Sequence, residues 1–115
     1  MDDAERYRLL GGPYGPPAVR RGDVLTCEAR GRDVRVGGMS DGRIQWPCAL
    51  KRGPRSLIVC GALAEAVRRE SEQAVAYWWG VSLTTVWSWR KALGVGEYTE
   101  GTSRLYRDYV PERIP

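Results

Sequence analysis

Four of the five tryptophans of this 115-residue chain fall in one stretch, WWGVSLTTVWSW (78–89), and the chain contains no phenylalanine. Indole rings at this density have three common uses. They fill a hydrophobic core, they stack on the bases of a nucleic acid, or they flank a helix that reads DNA. The spacing of the rings and the residue types around them decide between these uses.

The side chains that most often perform catalysis are scarce. The chain has no histidine, which excludes Ser-His-Asp sites, Cys-His sites and two-histidine metal sites. The carboxylates are scattered and form no recognisable cluster. We therefore expect a protein that is not an enzyme and that needs no cofactor, metal ion or small-molecule ligand.

The three cysteines, Cys27, Cys48 and Cys60, are odd in number and widely spaced. Structural zinc usually takes four ligands in close pairs, and no histidine is present to supply the fourth. Buried free thiols are expected, as in a reducing compartment. The acidic start MDDAER differs from a signal peptide, and no apolar run approaches the ~20 residues that cross a membrane. These features predict a cytoplasmic protein without a membrane partner.

Positive charge is concentrated in the first half of the chain. The net charge is +4, yet residues 6–55 contain eleven Arg and Lys residues against four acids. RRGD (20–23) and KRGPR (51–55) are the densest pieces, which makes Arg20, Arg21 and Arg52 candidate phosphate contacts. A solvated basic surface that only maintains solubility explains the same pattern.

Proline and glycine divide the chain into an extended first half and a helical second half. The boundaries predicted are an irregular arm (1–22), a small antiparallel sheet (23–60), a helical unit (61–95) and a tail (96–115). Alternation places Leu25, Cys27 and Ala29 on one side of a first strand, and Val34 and Val36 on one side of a second. RIQWP (43–47) and SLIVC (56–60) are the candidates for further strands.

From Gly61 the apolar residues recur at helical spacing, as one long helix or as two. Two helices, roughly 62–70 and 72–79, are favoured because Ser71 followed by Glu72 suits a helix start. A further short helix is predicted near 103–109.

The tryptophan stretch contains the signals of a sharp bend between two helices. Gly80 can take the left-handed conformation of a turn, Ala76 is small, Ser82 can cap a second helix and Gly94 can end it. Apolar side chains fall on the facing sides, at Val75, Trp79, Val81, Val86 and Trp89. Trp79 and Trp89 are therefore predicted to lie in the core.

This pattern, GVS..TV..W+K.LGV, resembles the helix-turn-helix of bacterial and phage DNA-binding proteins over residues 61–95. The whole chain is similar to small bacterial proteins that pair this unit with an N-terminal WP-containing segment. Together with the alternation in residues 23–60, the resemblance predicts an α+β fold, in which a small N-terminal antiparallel β-meander packs on a C-terminal tri-helical helix-turn-helix unit. It also implies a cytoplasmic transcription regulator, or an accessory factor of a mobile element or phage.

The resemblance implies roles for individual residues of a recognition helix, about 83–93, in the major groove of double-stranded DNA. The residues that would face bases are Leu83, Thr84, Trp87 and Ser88. The residues that would face phosphates are Ser82, Thr85, Arg90 and Lys91. Because specific affinity usually needs two half-sites, we expect a homodimer or a second contact from the basic half.

Two other functions fit the same residues. The base-facing positions offer no Arg, Lys, Asn or Gln, which are the usual donors and acceptors of direct readout. Trp78 and Trp87 fall off the core face, where they either anchor the N-terminal half to the helices or contact a ligand. The alternatives are a protein-interaction module that presents Tyr77, Trp78 and Trp87, and a single-stranded nucleic-acid binder.

Overall fold

The computed structural model describes residues 2–53, 56–96 and 99–109, which form an α+β fold. Arg55 and residues 110–115, which belong to the predicted sheet segment and tail, lie outside the described residues. The elements in chain order are α1 (Asp3–Arg6), β1 (Val24–Cys27), β2 (Arg32–Met39), β3 (Pro47–Ala49), α2 (Gly61–Arg69), α3 (Glu72–Trp79), α4 (Leu83–Leu93) and α5 (Glu100–Tyr109).

The predicted antiparallel meander is confirmed, with strand order β1-β2-β3. Val24 pairs with Arg35 at one end of the first ladder, and Met39 pairs with Pro47 at one end of the second. The third strand begins later than predicted. Of the segment RIQWP, only its last residue, Pro47, belongs to β3.

The expectation of a strand over SLIVC is wrong in the described structure, where a single bridge pairs Leu57 with Cys48. Leu57, Ile58 and Val59 are all buried, so the side chains do not alternate between two faces. The backbone of the segment also bonds to two different parts of the sheet region. Ile58 N–H donates to Pro47 O in β3, and Val59 O accepts from Glu28 N–H, just after β1. The segment is a buried link between the sheet and α2.

The two predicted helices on either side of Ser71 are confirmed as α2 and α3, and the Ser71 hydroxyl accepts a hydrogen bond from Ala74 N–H. The predicted helix near 103–109 begins earlier, at Glu100, because the Thr99 hydroxyl accepts from Thr102 N–H at 3.2 Å. The arm, expected to be irregular, contains α1, where Asp2 caps the helix by accepting from Glu5 N–H.

The sheet and the helices share one hydrophobic core, and Trp79 is one of its fully buried residues. Its ring lies 6.1 Å from that of Trp46, edge to face, and 5.8 Å from that of Tyr14. Trp46 is itself fully buried and donates its indole N–H to Ile58 O at 2.8 Å. The prediction that Trp79 and Trp89 are core residues is confirmed, since both are buried.

The arm is held against the helices by Glu70. This carboxylate is buried, and it accepts hydrogen bonds from Leu10 N–H, Gly11 N–H and the Tyr14 hydroxyl at 2.8–2.9 Å. Burial, together with the hydrogen bond to Glu70, raises the pKa of the Tyr14 hydroxyl above its ordinary value. A buried carboxylate with three donors is satisfied, and it fixes the arm in one place.

The loop 40–44, between β2 and β3, covers the end of α3. Ile44 N–H donates to Trp78 O at 2.8 Å, and the Arg43 guanidinium donates to Tyr77 O at 3.2 Å. These carbonyls lie in the last turn of α3 and would otherwise lack intrahelical partners. Gly42 lies so close to the same helix end that a Cβ there would be 2.5 Å from Trp79 O.

Glycine substitutions should separate the cost of a left-handed backbone from the cost of this close approach. Gly94→Ala should lose about 1 kcal/mol of unfolding free energy, because φ is +70° and nothing lies within 4 Å of the new Cβ. Gly80→Ala should lose more, because φ is +71° and its Cβ would lie 3.1 Å from Gly42 Cα. Gly42→Ala, which must displace the backbone of α3, should lose more than about 2 kcal/mol. Urea denaturation measures all three values.

Gly80→Val adds a branched side chain at the same left-handed position and should unfold the helical half.

A Gly42→Ala variant as stable as the parent would show that the loop 40–44 does not contact the end of α3.

Candidate nucleic-acid interface

The bend between α3 and α4 is built around Gly80. Its φ of 71° and ψ of 39° are left-handed, as predicted, and it ends α3. Gly80 N–H and Val81 N–H both donate to Ala76 O, at 3.0 and 3.1 Å. The turn takes only residues 80–82, so α4 leaves α3 at once and in a new direction.

The start of α4 is capped by hydroxyl groups. The Ser82 Oγ accepts from Thr85 N–H at 3.1 Å and shares a second hydrogen bond with Thr85 Oγ1 at 2.9 Å. Gly94, with φ of 70°, ends the helix, so both predicted caps of α4 are confirmed. Ser82 and Thr85, predicted as phosphate contacts, therefore already bond to each other and cap the start of α4.

One side of α4 is open to solvent along the whole helix. The four residues predicted to face bases are exposed, with Leu83 at 39% and Trp87 at 55% of their maximal accessible surface. Lys91, predicted to contact phosphate, is exposed as well. The opposite side is packed through Val86 and Trp89. Helix α4 contains no acidic residue.

The predicted phosphate contact at Arg90 is wrong, because this side chain is buried on the inner side of α4. Its guanidinium lies 3.0 Å from the Glu72 carboxylate and donates to Glu70 O at 2.9 Å. The hydroxyls of Thr99 and Thr102 accept further bonds at 3.3 and 3.4 Å. Burial lowers the pKa of Arg90, and the Glu72 carboxylate partly offsets this effect. Arg90 joins α4 to α3 and to the start of α5.

The basic half meets the start of α4 at Lys51. A cavity of about 350 Å³ between the sheet and α4 is lined by Lys51 on one side and by Gly80, Ser82 and Thr85 on the other. Lys51 also lines two cavities on the sheet. The larger, about 500 Å³, is lined by Arg30, Arg32 and Arg35, together with one acid, Asp33, and the exposed apolar residues Val24 and Leu50.

Of the predicted basic contacts, Arg21 lines the second sheet cavity, of about 270 Å³, together with Lys51. Arg20 and Arg52 are exposed, but the structure does not place either in these three cavities. Residue type alone does not distinguish Lys51 from its neighbour Arg52 as a phosphate contact. The strand β3 ends at Ala49, and past its end side-chain alternation no longer predicts direction.

Two of the three aromatic residues assigned to a protein interface are packed. Tyr77 is half-buried, with its ring 5.1 Å from that of Trp78 and with the Arg43 guanidinium 3.8 Å from its centroid. Trp78 is half-buried and donates its indole N–H to Tyr7 O at 2.7 Å. It therefore anchors the arm to α3. Trp87 alone of these three is exposed.

The cysteines are free thiols, with Cys27 and Cys48 buried and Cys60 half-buried. Within residues 2–53, 56–96 and 99–109, no group of three or more Cys, Asp or Glu side chains lies close enough to bind a metal ion. In the same ranges, no helix has both the length and the apolar character needed to span a bilayer.

Neutralising Arg90 and Lys91 should have opposite consequences, although the two residues are adjacent. Arg90→Met should lose about 3 kcal/mol of unfolding free energy, because it leaves the Glu72 carboxylate without its buried partner. Lys91→Met, at an exposed position, should change stability by less than about 0.5 kcal/mol. Urea denaturation at pH 7 measures both, and equal stabilities would contradict the buried position of Arg90.

Comparisons of the chain with protein families, with curated proteins and with solved structures found no match.

Proposed function

We propose that this protein binds double-stranded DNA without acting as an enzyme, with α4 in the major groove and the basic sheet surface on the flanking phosphates. The observation that carries the proposal is the exposed, acid-free side of α4, which a cavity joins at Lys51 to a sheet surface rich in arginine. A regulator of transcription, or an accessory factor of a mobile element or phage, would use DNA in this way.

The dimensions of α4 suit the groove. An α-helix with its side chains is about 10–12 Å wide, and the major groove of B-DNA is about 12 Å wide. The three-residue turn before α4 and the caps at both its ends make it a short, rigid element, with one side packed on the core and the other open to solvent. Leu83 and Thr84 lie in its first turn, where a recognition helix usually approaches base edges.

The sheet surface suits a sugar–phosphate backbone. Arginine and lysine side chains neutralise phosphates, and apolar side chains such as Val24 and Leu50 pack on deoxyribose. A sugar–phosphate backbone that runs beside α4 would pass Lys51, since Lys51 faces the first turn of α4 on one side and the sheet cavities on the other. Lys91 lies in the last turn of α4 and would reach a phosphate across the groove.

A second half-site is part of the proposal. An eleven-residue helix spans about 16 Å and touches only a few base pairs. Specific affinity from such a short contact usually comes from a symmetric dimer on two half-sites. We therefore propose a homodimer on DNA.

The exposed ring of Trp87 also favours a second candidate, a contact with another protein or with a single-stranded nucleic acid. Salt separates duplex binding from the protein contact, because an aromatic protein interface weakens little as salt rises. A short single-stranded oligonucleotide that stacks on Trp87 would quench tryptophan fluorescence.

Thr84→Glu should abolish duplex binding while the fold remains intact. A carboxylate against the DNA should weaken affinity about a hundred-fold or more. The same carboxylate in the first turn of α4 favours the helix dipole, so the melting temperature should not fall. Ser103→Glu is the matched control, because Ser103 is an exposed hydroxyl residue in α5. Electrophoretic mobility shift measures both, and undiminished binding by Thr84→Glu would remove α4 from the groove.

Lys51→Met should weaken binding to all duplexes by a similar factor and lower the salt dependence. Each phosphate contact contributes about 0.9 to the slope of log K against log salt concentration, so the slope should fall by about 1. Arg107→Met, at an exposed cation of α5, should leave the slope unchanged. Fluorescence anisotropy between about 50 and 200 mM salt gives the slopes. Identical slopes for the parent and Lys51→Met would exclude Lys51 from the phosphate contact.

A further inference from the structure

We propose that α4 selects its DNA site through the C5-methyl groups of thymine, which Leu83 and Trp87 contact in the major groove. This inference rests on the proposed function and gives it a base preference. It follows from the polar groups that α4 cannot offer to bases and from the apolar groups that it exposes.

The side chains that usually read bases through paired hydrogen bonds are missing from the outer side of α4. The helix contains no Asn, Gln, Asp or Glu, and its only arginine, Arg90, is buried in the network with Glu72. Ser82 and Thr85 bond to each other at the helix start. Lys91 lies about 12 Å along the axis from Leu83, at the end nearer the phosphates. The single hydroxyls of Thr84 and Ser88 and the single indole N–H of Trp87 remain; none of them forms a paired hydrogen bond, and one hydroxyl serves either base type.

The apolar groups at the same place are large and exposed. Leu83 is 39% and Trp87 is 55% exposed, and they lie four residues apart on one side of the helix. The apolar group that the major groove presents at base edges is the C5-methyl of thymine. Leu83 and Trp87 are separated by about 6 Å along α4, which is close to two base-pair steps of about 3.4 Å each.

Charge favours DNA over a protein as the occupant of this apolar pair. The pair lies on a helix without acids, between the ammonium of Lys91 at one end and that of Lys51 beside the other. An apolar strip between two cations complements a groove whose floor carries methyl groups and whose rims carry phosphates. A protein partner would need to present acids on both sides of an apolar centre.

Replacing thymine with uracil tests the inference, because uracil lacks only the methyl group and keeps every hydrogen-bonding group. The parent protein would first enrich its best duplex from a random 30-base-pair library. The enriched duplex would then be synthesised with thymine or with deoxyuridine at the positions that α4 protects. Burying one methyl group is worth about four-fold in affinity, so loss of the two at one half-site should weaken binding about fifteen-fold by fluorescence anisotropy.

The variants assign the effect to the two side chains. Leu83→Ala combined with Trp87→Ala should bind the thymine and uracil duplexes equally, because the groups that meet the methyls are gone. Tyr106→Ala, which removes an exposed aromatic side chain from α5, should keep the full difference.

Equal binding of the two duplexes by the parent, or enrichment of a site without thymine, would overturn the methyl readout and leave DNA binding in place. If the folded protein bound no duplex even at about 50 mM salt, the proposed function would fail too, and the apolar pair would be assigned to a protein contact.

Discussion

The contact between the loop 40–44 and the last turn of α3 is the constraint on which the arrangement of this molecule depends. The helix ends at a left-handed glycine, and a helix end of that kind leaves carbonyl groups that need donors. Arg43 and Ile44 supply those donors from the sheet side, and Gly42 lets the two backbones approach closely. The direction of α4 is thus set jointly by its own turn and by the sheet.

The tryptophans have different roles, which depend on where each lies relative to the contact between the sheet and the end of α3. Trp46 and Trp79 meet edge to face where the sheet and α3 join, and Trp78, next to Trp79 in the chain, turns away and holds the arm. Trp87 lies one turn beyond the bend and faces outward. Residues 78–89 therefore contribute Trp79 to the contact between the sheet and α3, Trp78 to the contact with the arm, and Trp87 to the exposed surface of α4. Tight packing of large side chains where the sheet meets α3 matters, because α4 can present a fixed surface only if its N-terminal end does not move.

The features that sequence reasoning predicted well depend on neighbours in the chain. Gly80, Ser82 and Gly94 cap helices through bonds that span three to five residues, and residue type decides such bonds. The features that it missed depend on distant partners. Arg90 was assigned to phosphate because Glu72, Thr99 and Thr102 reach it only in the folded chain. SLIVC was a candidate strand, yet Leu57, Ile58 and Val59 are all buried and the segment links the sheet to α2 instead.

The Arg104 guanidinium donates to Arg8 O, and these two residues are 96 positions apart. Glu70 holds Leu10 across 60 positions. Pairings so distant form slowly and late, whereas the bend at Gly80 closes between neighbours. During synthesis, which releases the N-terminus first, the arm must wait for α2 and α5 before it docks. The two helices around Gly80 pack on each other and on α2, all of which precede α5 in the chain. The outward surface of α4 should therefore take shape before the arm docks on α5.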